Sequence, residues 1–398
     1  MNLFIEKSTL KGYIKAPPSK SMAHRLLIAA AISDGTSEIQ NIALSEDITA
    51  TVSSLSALGA EITVEGGVAR VTRPVSKSGG VRVLDCNESG STLRFLIPIA
   101  AALGGEYIFI GKNRLMERPM AVYDEVFCDS GVDFKHHGDK ITISGGLKAG
   151  EYEIRGNVSS QFVTGMLYAL SMCKGESRIK IKNTLESRPY VDMTLSALSM
   201  FGVNIKEAEN EYVIPGDKTL SARDLYVEGD YSNAAFFDAF NYLGGDVIVG
   251  DLSKNSLQGD RAYKEYFERL KKGFCRIDIT DTPDLAPILM TLSSVLNGSE
   301  LVGTRRLSIK ESDRGAVMKE ELSKFGIVTE LSENSITVYK GTLKTPCETV
   351  CSHNDHRIAM ALTVLLTVTS GEISGVECTS KSMPDFYDAI SSLGARMH

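Results

Sequence analysis

Six times along the chain an amphipathic helical pattern runs up to a glycine and gives way to alternating residues: at Gly59, Gly131, Gly202, Gly273, Gly326 and Gly394. Apolar residues stand one and four places before four of these glycines: Leu58 with Leu55, Phe201 with Leu198, Phe325 with Leu322, and Leu393 with Ile390. That spacing is one face of an α-helix, and the glycine supplies a left-handed C-cap. Gly131 and Gly273 fit more loosely. Beyond the glycine, period-two segments around a polar turn predict hairpins over residues 61–64 with 68–72 and 133–135 with 140–144, then over 204–206 with 211–214 and 328–331 with 335–339. The copies recur roughly every seventy residues, with a shorter step from Gly273 to Gly326. Helix–Gly–strand units are common, but near-regular recurrence is hard to obtain by chance. A unit of this size buries its apolar face only against copies of itself, so six copies predict two domains of three.

The length of 398 residues agrees with two domains. No long Pro- or Ser-rich linker separates the halves. The crossing points fall at Pro17-Pro18-Ser19 and around residues 227–230. If the first strand pairs with the last repeats, one domain is discontinuous, 1–18 plus 228–398, and the other, 19–227, is inserted into it. Composition is that of a soluble protein, 43% apolar and 23% charged. A net charge of −7 argues against nucleic-acid or anionic-membrane partners. The longest apolar stretch, 358–368, is about half of what a bilayer needs, and no basic-then-apolar leader opens the chain. Seven scattered cysteines are an odd count and no disulfide framework. Cys347, Cys351 and His353 lie close together, but without a second ligand cluster they read as ordinary residues rather than a metal site. The expectation is a cytoplasmic monomer without cofactor or metal.

Several helix starts share one design: a small or capping residue, a basic or amide side chain, then an apolar run. They are Ser19-Lys20-Ser21-Met22-Ala23-His24-Arg25, Ser89-Gly90-Ser91-Thr92-Leu93-Arg94, Ser159-Ser160-Gln161 and Asn354-Asp355-His356-Arg357. A helix start exposes unpaired N–H groups and a partial positive charge, so it attracts phosphate and carboxylate. Serine or aspartate there can be a stabilising cap and nothing more. A cap needs no arginine, however, and three of the four segments carry one. Arg118, Arg188 and Lys381 add basic residues near Pro119, Pro189 and Pro384. In an acidic chain this predicts one concentrated positive site for a small, multiply anionic ligand. Asp284 and Glu311 stand at further helix starts; by default they are a cap and a solvated charge, and beside the cations they are placed for proton transfer. Nucleotide, metal and hydrolase-elbow motifs are absent from the sequence.

Lys20-Ser21-x3-Arg25, Ser89-Gly90-Ser91-x2-Arg94, Glu117-Arg118-Pro119, Val158-Ser159-Ser160-Gln161-Phe162, Ser187-Arg188-Pro189-Tyr190, Pro283-Asp284, Ile309-Lys310-Glu311-Ser312-Asp313-Arg314, Asn354-Asp355-His356-Arg357 and Lys381-x2-Pro384-Asp385 follow in this order. Together they resemble the 5-enolpyruvylshikimate-3-phosphate synthase family over nearly the whole chain. The resemblance implies an α/β fold, a two-lobed inside-out α/β barrel of six βαβαββ repeats, three per domain. It implies transfer of the enolpyruvyl group of phosphoenolpyruvate to shikimate 3-phosphate. Lys20, Ser21, Arg25, Ser159, Ser160, Gln161, Ser187, Tyr190, Asp284 and Lys310 would hold the acceptor. Lys20, Gly90, Arg94, Arg118, Gln161, Arg314, Arg357 and Lys381 would surround the donor. Asp284 would take the acceptor's hydroxyl proton, and Glu311, assisted by Lys20, would protonate the donor's methylene. The family also recognises glyphosate in the donor region, where Gly90 lies. Glu88 and Arg306 stand where relatives carry asparagine, and Phe95 where proline is common.

Three other readings are weaker. UDP-N-acetylglucosamine enolpyruvyl transferase has the same fold and donor but uses a cysteine in the loop before the arginine matching Arg118. Residues 111–117 contain none. An RNA-phosphate cyclase would need its own motifs and a basic surface. A non-catalytic anion-binding derivative would be expected to lose Lys20, Asp284 or Glu311, and all three are present.

Overall fold

The computed structural model describes residues 1–77, 79–216 and 219–398, and the chain splits into two compact units. One is Pro18–Glu228; the other joins Met1–Pro17 to Gly229–His398.

At the centre of Pro18–Glu228 are three helices, α1 (Lys20–Ala31), α2 (Gly90–Leu103) and α3 (Ser160–Ser171). Their runs Leu26-Leu27-Ile28, Phe95-Leu96-Ile97 and Phe162-Val163 are apolar on every face, and α1 is buried without a break from Met22 to Ala31. A helix apolar all round must be surrounded, and here the surroundings are sheets. Each of three four-stranded sheets has one parallel pair followed by an antiparallel hairpin. In one, Arg82–Asp85 pairs parallel with Gly105–Ile110, which meets the hairpin of Lys140–Gly145 and Val132–His136. In the next, Glu151–Arg155 and Ser177–Lys182 play the parallel part. Parallel neighbours need a crossover, and α2 and α3 provide it. The third sheet closes the unit on itself: Ser37–Gln40, which follows α1, takes its parallel partner from Leu225–Tyr226 at the far end of the segment. Register puts Tyr107 opposite Ile143 and Phe109 opposite Ile141, all buried, so the inner face of each sheet packs on the helices.

The second unit repeats the plan around α4 (Tyr231–Ala239), α5 (Ala286–Val295) and α6 (His356–Thr369). One sheet is complete: Cys275–Asp278, Ser299–Val302, Ser335–Val338 and Thr329–Leu331. Another is completed by the chain termini, Asn2–Ile5 adding to Gly371–Ser374 and Met397 bridging to Ile5. The third has only Lys11–Lys15 parallel to Asp246–Gly250. The chain leaves this unit after Pro17 and returns at Gly229, so the whole of Pro18–Glu228 sits inside one strand–helix–strand crossover.

Helices therefore lie inside and sheets outside in both units, and none of the described sheets closes into a barrel. The glycine pattern holds with one correction. Gly59, Gly131, Gly202, Gly326 and Gly394 have φ values of +101°, +80°, +96°, +78° and +101°, the left-handed region. Gly273 has φ 166° and ψ 179°, which is extended backbone. No hairpin follows it; the chain runs straight from helix Tyr263–Lys272 into Cys275–Asp278, and this is why the step to Gly326 is short. The hairpin strand expected over 204–206 begins two residues later, as Lys206–Ala208.

These backbones separate two substitutions. Gly59→Ala must place a Cβ at φ +101° and 2.8 Å from Ser76 Oγ, whereas a Cβ on Gly273 meets nothing within 4 Å. In urea unfolding, Gly273→Ala should be neutral or stabilising by up to about 1 kcal/mol, and Gly59→Ala destabilising by more than about 1 kcal/mol. Equal effects would remove the distinction between the two caps.

Candidate active site

In Pro18–Glu228 the starts of α1, α2 and α3 come together. Ser19, Ser89 and Ser159 cap them, accepting from the amides of Met22 at 3.4 Å, Thr92 at 3.2 Å and Gln161 at 3.3 Å. Ser160 opens α3 and is buried. Gln161 ties two of the ends: its Nε2 donates to Ser91 Oγ at 3.0 Å, and its Oε1 accepts from Arg94 at 2.7 Å. A buried chain of hydroxyls ties α1 to α2. His24 Nδ1 is 2.7 Å from Thr51 Oγ1, Thr51 is 2.6 Å from Thr92 Oγ1, and Thr92 donates to Ser89 Oγ at 2.8 Å.

Arg25 is buried among donors' natural acceptors. Its Nε donates to Thr194 Oγ1 at 3.0 Å, and its two terminal nitrogens to the Ser21 and Tyr190 carbonyls at 2.7 and 2.8 Å. The guanidinium lies 5.4 Å from the Phe95 ring centre, so the aromatic residue after Arg94 packs beneath this cation. Burial pulls the Arg25 pKa down to about 10, which still leaves it charged at neutral pH. Lys20 forms an ion pair with Asp47 at 2.6 Å. Ser187 is buried and left-handed, φ 57°, at the start of helix Arg188–Met200, which presents Tyr190 to Arg25. A Cβ on Gly90 would fall 2.7 Å from an Arg118 guanidinium nitrogen, 3.4 Å from Arg94 and 3.6 Å from Gln161 Oε1. Gly90, Arg94, Arg118 and Gln161 thus form one cluster. Gly90 has an ordinary helical backbone rather than a positive φ, so space, not conformation, asks for glycine there.

The second unit assembles the other expected residues around Arg314, a guanidinium 1% exposed. It donates to Asp284 at 2.8 Å, to Glu311 at 2.7 Å and to the two oxygens of Asp355 at 2.9 and 3.4 Å. Asp284 also receives Lys310 at 3.3 Å and Arg357 at 3.1 Å. Burial alone would raise the Asp284 pKa, but Arg357, Lys310 and Arg314 together hold it well below the usual carboxylate range. Lys310 is lowered, chiefly by burial. Lys381 sits at the same helix start, donating to the Asn354 carbonyl at 2.7 Å.

Several groups outside the expected site residues bear on these clusters. Asp355, fully buried, caps α6 through the Arg357 amide at 3.0 Å and also holds Arg314 and Ser312. Its Asn-Asp-His-Arg context signals the cap and hides the ion pair. Asp47 and Thr194 partner Lys20 and Arg25 from other helices, with no local signal. Asp260 accepts from the Ser232 hydroxyl; burial, then neighbouring Asp284, push its pKa up to about 7 against the pull of Arg357. Arg306, buried, donates to the Thr280 carbonyl at 2.5 Å and adds positive charge near Lys310. Glu320, Glu321 and His353 lie within reach of a common ion. The Glu321 carboxylate, however, already takes Lys324 at 3.0 Å, His353 at 2.8 Å and the Cys351 amide at 2.9 Å, and the ammonium opposes a second cation.

The two constellations differ in character. That of Pro18–Glu228 is cationic, with Asp47 its one named carboxylate; that around Arg314 pairs cations with Asp284, Glu311 and Asp355. The first suits anion binding, and the second also suits proton transfer. Residues 5–390 match the family described as EPSP synthase (3-phosphoshikimate 1-carboxyvinyltransferase). A 3-phosphoshikimate 1-carboxyvinyltransferase of Clostridium botulinum is 41% identical over 98% of this chain and 96% of its own. One of Clostridioides difficile is 38% identical over 100% and 98%. An EPSP synthase structure from Acinetobacter baumannii superposes with a TM-score of 0.82 over 100% of this chain and 99% of that one, at 22% identity, and so shares the fold. The chain belongs to the EPSP synthase family.

The buried pair carries a stability consequence. Asp355→Ala leaves Arg314 without its most buried partner and should cost about 3 kcal/mol in chemical unfolding. Asp133→Ala, which breaks an ion pair whose partners are each 56% exposed, should cost less than about 1 kcal/mol. A small loss at Asp355 would mean that Arg314 is held by the other two acids.

Proposed function

We propose that the chain transfers the enolpyruvyl group of phosphoenolpyruvate to the 5-hydroxyl of shikimate 3-phosphate and releases phosphate, as a cytoplasmic monomer built from the domains 1–18 plus 228–398 and 19–227. The observation that carries this reading is that Asp284 and Glu311 share one buried guanidinium, at 2.8 and 2.7 Å. Protonating the donor's methylene carbon makes the adjacent carbon electrophilic, so the reaction needs an acid on one side and a base on the other. Glu311, with Lys20 assisting, supplies the proton; Asp284 takes the one from the acceptor hydroxyl. Addition gives a tetrahedral ketal; its collapse gives up a methyl proton to restore the double bond and expels phosphate, whose charge the arginines stabilise. Lys20, Ser21, Arg25, Ser159, Ser160, Gln161, Ser187, Tyr190 and Lys310 serve the acceptor. Gly90, Arg94, Arg118, Arg314, Arg357 and Lys381, with Lys20 and Gln161 shared, serve the donor. All seven cysteines are free, which suits a reducing compartment. No helix among the described residues is long and apolar enough to cross a membrane.

UDP-N-acetylglucosamine as acceptor is disfavoured by the short helix Asn113–Glu117 before Arg118, where Leu115 and Met116 are buried and no cysteine stands. The deciding measurement is phosphate release from phosphoenolpyruvate with each acceptor. Shikimate 3-phosphate should support it in the presence of EDTA and UDP-N-acetylglucosamine should not; a requirement for a divalent ion would overturn the mechanism. Asp284→Ala should lower kcat by at least ~10²-fold.

Gly90→Ala should act on the donor. The added methyl forces the Arg118 guanidinium aside without straining the helix, so the KM for phosphoenolpyruvate should rise several-fold while the melting temperature stays within about 2 °C. Glyphosate, longer than the donor, should lose more affinity than the donor does. A fall in stability with unchanged KM would take Gly90 out of the donor site.

A further inference from the structure

Asp284, Glu311 and Lys310 are the more accessible members of the ion cluster, their side chains 18%, 19% and 28% exposed, while Arg314 lies beneath them at 1%. Asp355, fully buried, anchors Arg314 from behind through Nε. The remaining nitrogens of that guanidinium face Asp284 and Glu311, so those two carboxylates occupy the positions from which a bound anion would reach it. Arg357 reaches the same Asp284 twice, through the carboxylate at 3.1 Å and the main-chain oxygen at 3.4 Å.

We propose that Asp284 and the anionic groups of the donor compete for the same cations, Arg314 and Arg357, so that donor binding is what frees Asp284 to act as a base. The inference rests on the donor and base roles given above. Arg314 need not move, because Asp355 keeps it in place while its outer hydrogen bonds pass from carboxylate to donor. The proton balance is simple: the carboxylate of Asp284 loses charge-assisted bonds, becomes more basic, and accepts the proton of the acceptor hydroxyl as the new C–O bond forms. Arg357, Lys310 and Arg314 together keep the Asp284 pKa low and make it a weak base, and competition for the two arginines relieves that handicap. The other charged groups facing it act in the same sense or stay fixed. Asp260 and Glu311 are like charges that favour a more basic Asp284, Arg306 lies beyond Lys310, and Asp355 remains committed to Arg314. By linkage the effect is reciprocal: neutralising Asp284 should tighten the donor.

Calorimetric titration of phosphoenolpyruvate, with no acceptor so that no chemistry occurs, tests this on wild type, Asp284→Asn and Glu320→Gln. Asp284→Asn should bind the donor roughly tenfold tighter, and removal of the exposed Glu320 charge should change affinity less than about twofold. Unchanged or weaker binding in Asp284→Asn, including no measurable binding by either protein, overturns the proposal. Equal tightening by Glu320→Gln overturns it too, since the effect would then be general charge. If Asp284→Asn does not fold, carbon-13 NMR of the wild-type Asp284 carboxyl decides: its titration midpoint should move up when phosphoenolpyruvate is added, and a fixed midpoint refutes competition. Phosphate release separates the two layers. Wild-type turnover by Asp284→Asn would discard Asp284 as the base, whereas lost turnover with unchanged donor affinity would discard only the competition.

Discussion

Each unit depends on three helices that are buried on almost every face, and everything chemical follows from where such helices can begin. Once α1, α2 and α3, or α4, α5 and α6, are enclosed by sheets, their N-termini are the places where the core meets polar groups. A helix start cannot satisfy its own first amides. Three starts brought together concentrate that need and its positive field. Ser19, Ser89, Ser159, Asp230 and Asp355 meet part of it as caps. Arginines and lysines added at the same level raise the local charge beyond what caps can balance, and the two units answer in different ways. Around α1–α3, Arg25 leans on carbonyls, a hydroxyl and rings, and Lys20 pairs with Asp47. Around α5 and α6 the chain supplies carboxylates.

That plan was legible in the sequence because it is local and repeated. Leu55 with Leu58 and Gly59, or Leu322 with Phe325 and Gly326, state a helix end in five residues. The short step after Gly273 was visible as an irregularity, and the structure explains it as a missing hairpin. The cation cluster was legible for the same reason, since each Arg or Lys lies within a turn or two of its cap. What sequence could not show is pairing across distance. Lys20 meets Asp47 from the next helix, Arg25 meets Thr194, and Arg314 meets both Asp284 and Asp355. No periodicity connects such residues; the three-helix packing does. Asp355 is the sharpest case, because one carboxylate serves as cap and counter-ion, and only the first duty has a local signature.

The insertion of one unit into the other is physically inexpensive for a similar reason. Lys11–Lys15 and Asp246–Gly250 are parallel neighbours, so some crossover between them is obligatory. Loop-closure entropy grows only slowly with length, and Pro18–Glu228 buries its own core, closing its first sheet with Leu225–Tyr226. The crossover therefore contains a folded body whose ends already lie close together, rather than a long floppy loop. Ser19 donates its amide to the Glu228 carbonyl at 2.8 Å, which joins those two ends directly.

The start of α1 shows how tightly charge is managed within such a packing. Lys20 and Arg25 flank His24, and all three belong to fewer than two turns of one helix. A charged imidazole there would add a third cation to a buried surface. Burial, then Lys20 and Arg25, hold the His24 pKa well below the ordinary histidine range, so the ring stays neutral. A neutral ring can exchange a hydrogen bond with Thr51, and Thr51 passes the polarity on to Thr92 and Ser89 at the start of α2. The relay uses hydroxyls, which donate and accept without carrying charge, so it couples two helix starts at no electrostatic cost to the cations beside it. Such a network also fixes register between α1, helix Glu46–Ala57 and α2, because a slip of one residue would leave buried hydroxyls unpaired. The start of α1, with Lys20 and Arg25, is thus tied to the start of α2 by an uncharged core network.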